Sequence, residues 1–275
     1  MTTESTVAHY ARGDLMAQIE RAVASTGKRP ETLTIDDLGA LDEFHIGARA
    51  ATVRMQEQLA FDAGSEVVDV GCGLGGPARY FAQAAGARVT GVDLTPEFVD
   101  AGTTLTRWVG LQGQVTLMHQ DAMQLPFPDG SFNGAYMFHV GMNIADKASL
   151  LVEVARVLRP GARFGIYDIM RVGSGEICYP APWSRSPETS FVATPDQYVE
   201  ALRTADFETL KPVNRRDFAR EFFAATRAAA AEAGGPPALG LQLVLGPEAG
   251  TRLGNMVYGV MQGIIAPVEI IATRQ

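Results

Sequence analysis

The residues with the clearest chemistry are three aspartates, each placed where a short apolar run ends. Asp69 stands two residues before Gly71, at the carboxyl end of EVVDV (66–70), and that run passes directly into the glycine-rich stretch GCGLGG (71–76). Open α/β sheets bind ligands beyond the carboxyl ends of their strands, and a glycine turn lets the backbone approach a ligand closely. Gly71, Gly73 and Gly76 also satisfy the dinucleotide spacing G-x-G-x-x-G, so the charges decide more than the glycines. A carboxylate at position 69 repels a pyrophosphate and attracts a ligand that carries positive groups. Asp93 closes the next run, RVTGVD (88–93), about 20 residues beyond the first glycine, the offset at which an acid meets ribose hydroxyls. Asp121, followed by Ala122, closes a third run in a position suited to accept a hydrogen bond from an adenine amino group. S-adenosylmethionine offers an ammonium, a sulfonium, a ribose and an adenine together.

The elements that must position these acids alternate in type. EVVDV, RVTGVD, VTLMH (115–119), FNGAYMF (132–138) and FGIYDI (164–169) read as strands. Residues 77–85 read as a crossover helix, Pro96 with Thr95 as its cap opens another to about Gly110, and Ala145 to Leu158 forms a third, closed by Arg159-Pro160-Gly161. Strands alternating with amphipathic stretches predict βαβ units and a parallel sheet. Residues 171–194, with Gly173, Gly175, Pro180, Pro182 and Pro187, predict an irregular lid. A helix at 195–205 and a strand at 207–213 follow, then an Ala-rich helical insertion at 214–265 and a last strand at 268–273. The first 60 residues predict a helical cap on a catalytic domain spanning 61–275.

The composition narrows the partners. The chain has 275 residues, with 23 Lys and Arg against 31 Asp and Glu for a net charge of −8, which argues against a nucleic-acid partner. An apolar fraction of 47% with 20% charged residues is that of a globular protein. Two cysteines, Cys72 and Cys178, make neither a disulfide framework nor a metal site, and no metal is expected. The start MTTESTVAHYARGD lacks the basic-then-apolar order of a signal peptide, and the apolar stretch 254–272 is interrupted by Asn255, Gln262, Pro267 and Glu269. The expectation is a cytoplasmic protein with no membrane partner; monomer and homodimer both stay open.

Four segments in order, VVDVGCGLGG (67–76), VTGVDLTPEFV (89–99), HQDAMQLPFPDGSFNGAYMF (119–138) and VARVLRPGARFGIYD (154–168), resemble the motifs of class I S-adenosylmethionine-dependent methyltransferases. The wording GLGGPARY and FHIG is similar to a small-molecule branch that includes sarcosine and dimethylglycine methyltransferases and tocopherol-type methyltransferases. The resemblance implies a Rossmann-like α/β fold with seven strands in the order 3-2-1-4-5-7-6, strand 7 antiparallel. It implies S-adenosylmethionine as methyl donor, S-adenosylhomocysteine as product, and a small-molecule acceptor methylated on oxygen, nitrogen or carbon. By the same resemblance Asp69 and the backbone of Gly71, Gly73, Leu74 and Gly75 hold the methionine part and Asp93 the ribose. Leu94, Asp121, Ala122 and Met123 frame the adenine, and Phe138 and His139 lie beneath the cofactor.

The acceptor side is less determined. His139, at the carboxyl end of the fourth strand, and Asp168, at the end of the fifth, are the candidate catalytic residues, as general base or orienting group. Many relatives in the family carry a histidine in an H-x-x-P-D-type stretch; aligning Asp146 with that aspartate places Met142 and Asn143 where histidines would stand, and His139 three residues early. His45 either closes over the methyl donor or packs in a helix junction. Tyr10, Met142, Tyr179, Trp183, Phe191 and Tyr258 lie in or beside the covering segments, where aromatics either pack the lid or touch the acceptor, two of them in a cation–π box if it is an amine. Covering segments rich in Ala, Leu, Met and aromatics favour an apolar or amphipathic acceptor. The rival readings are an NAD-dependent oxidoreductase on the same glycines and a binder of S-adenosylmethionine without turnover.

Overall fold

β1 (Glu66–Val70), β2 (Arg88–Asp93), β3 (Val115–His119) and β4 (Phe132–Phe138) form on the expected residues of the computed structural model, which describes residues 9–275; the first eight residues of the expected cap lie outside the described residues. These strands pair in parallel, with Val68 opposite Thr90 on one side and Ala135 on the other. Val67, Val68 and Val70 are all fully buried, because helices cover both faces of a parallel sheet. β5 is Leu158–Arg171, longer than the expected 164–169. Leu158 pairs with Phe132, and the register then shifts before Arg163 meets Gly134, so the Arg159-Pro160-Gly161 turn is absorbed as an irregularity within the strand.

The sheet runs β3-β2-β1-β4-β5-β8-β6, and β8 (Ile265–Arg274) is antiparallel to β5, with Ile270 opposite Ile166. That is the expected path with the expected reversed strand. The departure is an eighth strand: the single strand expected at 207–213 is two pieces, β6 (Phe207–Thr209) and β7 (Val213–Asn214), both paired with β8. The break ends in Pro212, which has no N–H to give to a ladder.

Side-chain alternation along the strands divides the core in two. Val68, Val70, Met137 and Ile166 face α6 (Lys147–Val157) and α7 (Pro195–Thr204) through Leu150, Val154, Tyr198 and Leu202. Val67, Tyr136 and Tyr167 face α3 (Ala48–Leu59) and α4 (Gly76–Ala85) through Met55, Leu59, Ala78 and Phe81. A third cluster joins α1 (Leu15–Ser25) and α2 (Ile35–Asp42) to Leu74 of the glycine turn and to Phe98 and Leu105 of α5 (Pro96–Trp108). Residues 214–265 form α8 (Arg216–Glu232), the short α9 (Leu241–Leu245) and α10 (Ala249–Gln262) before β8 begins. Segment 171–194 is irregular apart from one 3-10 turn at Pro187–Thr189, and it is packed down, with Trp183 buried among Ile46, Met142, Ile169 and Ile265. No described helix is long and apolar enough to cross a membrane.

Candidate functional site

A cavity of about 1220 Å³ opens beyond the carboxyl ends of β1, β2 and β4 and extends under the N-terminal helices and the insertion. Asp69 lies at one end. Its side chain is 1% exposed, and its Oδ2 has no hydrogen-bond partner. Burial drives its pKa well above the ordinary carboxylate value, the Tyr136 hydroxyl close by holds it down without making a well-aligned bond, and the nearby Asp93 and Glu43 add to the rise. An unpaired buried carboxyl is costly until a cation meets it.

The glycine turn beside it is shaped by two positions. Gly71 has φ +73°, and a Cβ there would run into the Val140 side chain; Gly73 has φ +53° and opens onto free space. The Gly73 N–H donates to Asp93 Oδ2 at 2.9 Å and the Thr95 N–H to Oδ1 at 2.8 Å. This corrects the capping expected of Thr95: its side chain makes no capping bond to α5, and Asp93 instead ties the glycine turn to the helix start. Burial raises the Asp93 pKa, although both backbone bonds hold it down. Asp121 Oδ1 accepts the Met123 N–H at 2.9 Å, and Asp121, Ala122, Met123, Leu94 and Leu74 all line the cavity. Gly75 does not line it; a Cβ there would point at Leu117 and Arg79.

Arg79 braces this end from behind. It is fully buried, donating to Leu74 O at 2.6 Å, Asp42 Oδ2 at 2.7 Å, Thr106 Oγ1 at 2.9 Å and Gly102 O at 3.2 Å. One guanidinium thus joins the glycine turn, α2 and α5. Its fork can satisfy several fixed acceptors at once, which an ammonium on a flexible stem cannot match.

On the other side of Asp69, His45 stacks on Phe138 with ring centroids 4.4 Å apart. The His45 Nε2 lies 3.0 Å from Ala48 O and 3.2 Å from Thr52 Oγ1, and burial pushes its pKa down to about 3. His139 takes the left-handed region at φ +55° and stacks on Tyr167 at 5.7 Å. Its Nε2 is buried without a partner, and burial with His45 alongside holds its pKa well below the usual range. Both imidazoles are therefore neutral at pH 7. Tyr10 donates to Asn143 Oδ1 at 3.1 Å, and Tyr10, Met142, Asn143 and Trp183 line the cavity. Cys72 lines it too, but burial, Asp69 and Asp93 raise its thiol pKa well above the usual value, which leaves it a weak nucleophile.

Besides Gly75, four candidates are not brought to this cavity. Asp168 is fully buried on the opposite face of the sheet, where its carboxyl takes the Tyr198 hydroxyl at 2.5 Å and the Ile169 N–H at 2.9 Å, with burial pushing its pKa up to about 6. Tyr179 packs within the lid cluster, and Phe191 is held by its N–H to Met142 O at 2.9 Å. Tyr258 is 50% exposed on the outer side of α10. Conversely, Asp42, Glu43, Arg79 and the insertion residues Phe222, Phe223 and Leu253 belong to the site or its supports, although no motif spacing pointed to them. Among the described residues no group of three or more His, Cys, Asp or Glu side chains could hold a metal ion.

Comparison with known proteins finds methyltransferases. Residues 68–166 match the family described as a methyltransferase domain. The chain is 38% identical over 124 residues to the sterol 24-C-methyltransferase of Yarrowia lipolytica, covering 44% of this chain and 32% of that protein. It is 34% identical over 148 residues to the methyltransferase GfsG of Streptomyces halstedii, covering 54% of this chain and 51% of that protein. The matched region thus spans about a third to a half of the length of these relatives. Among solved structures, the geranyl diphosphate C-methyltransferase of Streptomyces coelicolor A3(2), in complex with S-adenosylhomocysteine, superposes with a TM-score of 0.69 at 17% identity, over 99% of this chain and 98% of that one.

Proposed function

We propose that the chain is a class I S-adenosylmethionine-dependent methyltransferase and that it transfers the methyl group of S-adenosylmethionine to a small-molecule acceptor inside the cavity. The observation that carries this reading is the unpaired Oδ2 of Asp69 beside an open glycine turn. It fits the ammonium of the donor's methionine part and does not fit the pyrophosphate of NAD. Asp93 presents a second lone pair on each oxygen to the ribose, and Leu94, Ala122 and Met123 with the Asp121 carboxylate bound the adenine end. Bound there, the donor supplies an activated methyl on a sulfonium.

The protein's own part is then largely positional. Holding donor and acceptor in a near-attack arrangement lowers such a barrier by roughly 7–11 kcal/mol, and a closed site excludes water. His139, neutral and half-buried on the cavity wall, is a weak base at its depressed pKa and is better suited to orient an acceptor hydroxyl next to the reacting methyl. Asp168 serves at a distance: it fixes Tyr198 under Gly141, the residue that carries the chain from His139 and Val140 toward Met142.

Calorimetry with S-adenosylhomocysteine and NAD separates the readings, and transfer of labelled methyl to amines, phenols and isoprenoid alcohols tests turnover. The expected result is binding of S-adenosylhomocysteine alone, with label entering an organic product. Binding of NAD in its place overturns the assignment, and binding without transfer to any acceptor leaves a binder without turnover.

A further inference from the structure

The cavity is larger than the donor needs, and its two ends differ in chemistry. At interior packing density a molecule of about 27 heavy atoms, the size of S-adenosylmethionine, fills roughly 500 Å³. Roughly 700 of the 1220 Å³ therefore remain, which at the same density would take up to about 38 heavy atoms and so leave ample room for an acceptor of about 20–30. The wall of that remaining space comes from the insertion: Phe222 and Phe223 of α8, with Leu253, Met256, Val257 and Met261 of α10. Thioethers adapt to irregular apolar shapes, and no carboxylate stands on this wall. Its charged residues, Arg220 and Arg227, are both exposed. Near the donor end the polar groups are Tyr10, Asn143 and His139; on the insertion side Thr226 and Gln242 join the two arginines.

The insertion wall also offers no counter-ion for a cationic acceptor. Apart from Asp69, Asp93 and Asp121, which the donor reading uses, the carboxylates on the cavity lie away from the α8 and α10 wall, and Asp42 keeps one buried Oδ1 without a partner. Asp42 is held by Arg79, Glu43 by Arg49 and Thr52, and Asp146 by the Ser149 N–H and hydroxyl. Asp36 is 86% exposed and faces Arg49 at 3.3 Å. His45 and His139, the two titratable groups that face Phe138 and Tyr167, carry no charge at pH 7. An ammonium placed here would lose its hydration without a partner.

Resting on the methyl-donor reading above, we propose that the acceptor is a neutral, largely apolar molecule of about 20–30 heavy atoms, bound with its polar end toward His139 and Asn143 and its apolar body along α8 and α10. Both a fused-ring alcohol and a long isoprenoid alcohol have this chemistry. Small amines, amino acids and single-ring phenols do not fill the space. α8 buries only Ala219 among its 17 residues, so this wall is lightly anchored and gives a bulky molecule a way in.

The test uses the full chain saturated with S-adenosylhomocysteine and titrated with pregnenolone, geranylgeraniol, catechol and dimethylglycine. At least one of the two apolar alcohols is expected to bind at one per chain, at least about tenfold more tightly than catechol or dimethylglycine. Two variants then locate the site: Leu253→Trp, which fills it, and Met261→Asp, which charges its rim at a residue 43% exposed and so tolerant of the change. Each folded variant is expected to weaken the alcohol about tenfold or more and to leave S-adenosylhomocysteine affinity within about twofold. Donor-product binding with neither apolar alcohol bound, tighter binding of catechol or dimethylglycine, or alcohol affinity unchanged in the folded variants overturns the proposal alone. Failure of the unmodified chain to bind S-adenosylhomocysteine overturns the methyl-donor reading and this proposal with it.

Discussion

Asp69→Asn separates a binding residue from a structural one, because the two roles predict opposite changes in stability. In the protein without ligand, the Oδ2 of Asp69 has no partner and burial raises its pKa well above 3.8. Between 3.8 and that raised value the folded chain keeps a proton that the unfolded chain has lost, so stability falls as pH rises through the window. Asparagine removes that burden, and the variant without ligand is expected to be at least as stable as the parent at pH 7. Binding should move the other way. Losing a charge-assisted bond to a buried ammonium costs about 2–3 kcal/mol, which is roughly a 30- to 150-fold weaker Kd for S-adenosylhomocysteine. Calorimetry at pH 7 together with chemical denaturation of the ligand-free chain reads both quantities. A Kd within about threefold of the parent refutes the ammonium contact. A drop in ligand-free stability of about 2 kcal/mol or more refutes the unpaired-carboxyl argument instead.

The supports of the site give three further expectations. Asp93→Ala frees the Gly73 and Thr95 N–H groups as well as removing the ribose contact, so it should both weaken S-adenosylhomocysteine about 100-fold in calorimetry and lower stability by about 1–3 kcal/mol; a pure binding loss would place Asp93 outside the loop's bracing. Arg79→Met strands the buried Asp42 and should cost about 3–5 kcal/mol in urea unfolding, whereas a loss under about 1 kcal/mol would mean the network is not anchoring the turn. Tyr198→Phe removes the hydroxyl that holds the Asp168 pKa down, so it should rise above about 6; the raised carboxyl makes stability fall as pH climbs from 3.8 through that value, and the variant's loss relative to the parent should be larger at pH 8 than at pH 5. Equal losses at both pH values would show that the bond carries no charge dependence.

How legible these features were in the sequence follows from the range of the interactions that decide them. β1 to β4 could be bounded to the residue because each is a short apolar, β-branched or aromatic run set between polar or glycine-bearing turns, which is local information even for β3 at the sheet edge, where only Val115 is buried. Capping at Thr95 is also a local reading: Thr95 does stand at the N-cap, but its side chain makes no bond to the helix, and Asp93 two residues upstream takes the Thr95 N–H while it holds Gly73. The edge strand broke into β6 and β7 at Pro212, a breaker already visible in the sequence. Arg79, by contrast, is an arginine on a helix in any window of sequence; only the approach of α2 turns it into a buried clamp.

Asp168 shows where such reasoning must stop. Both Asp69 and Asp168 close apolar runs toward the carboxyl ends of parallel strands, although β5 runs on to Arg171, and the sequence treats them alike. Register separates them: Asp69 pairs with Tyr136, and Tyr136 with Gly165, so Asp69 shares a face with residues 165 and 167 and not with 168. A slip of one residue in either pairing would turn Asp168 toward the α3 and α4 side and Tyr167 toward Tyr198. That register is set by contacts far apart in the chain, among them Tyr167 with His139 and Phe138, and Ile166 within the cluster that holds Leu150 and Tyr198. The same parity that aims Asp69 into the cavity removes Asp168 from it, so a single geometric fact assigns one carboxylate to the ligand and the other to the scaffold.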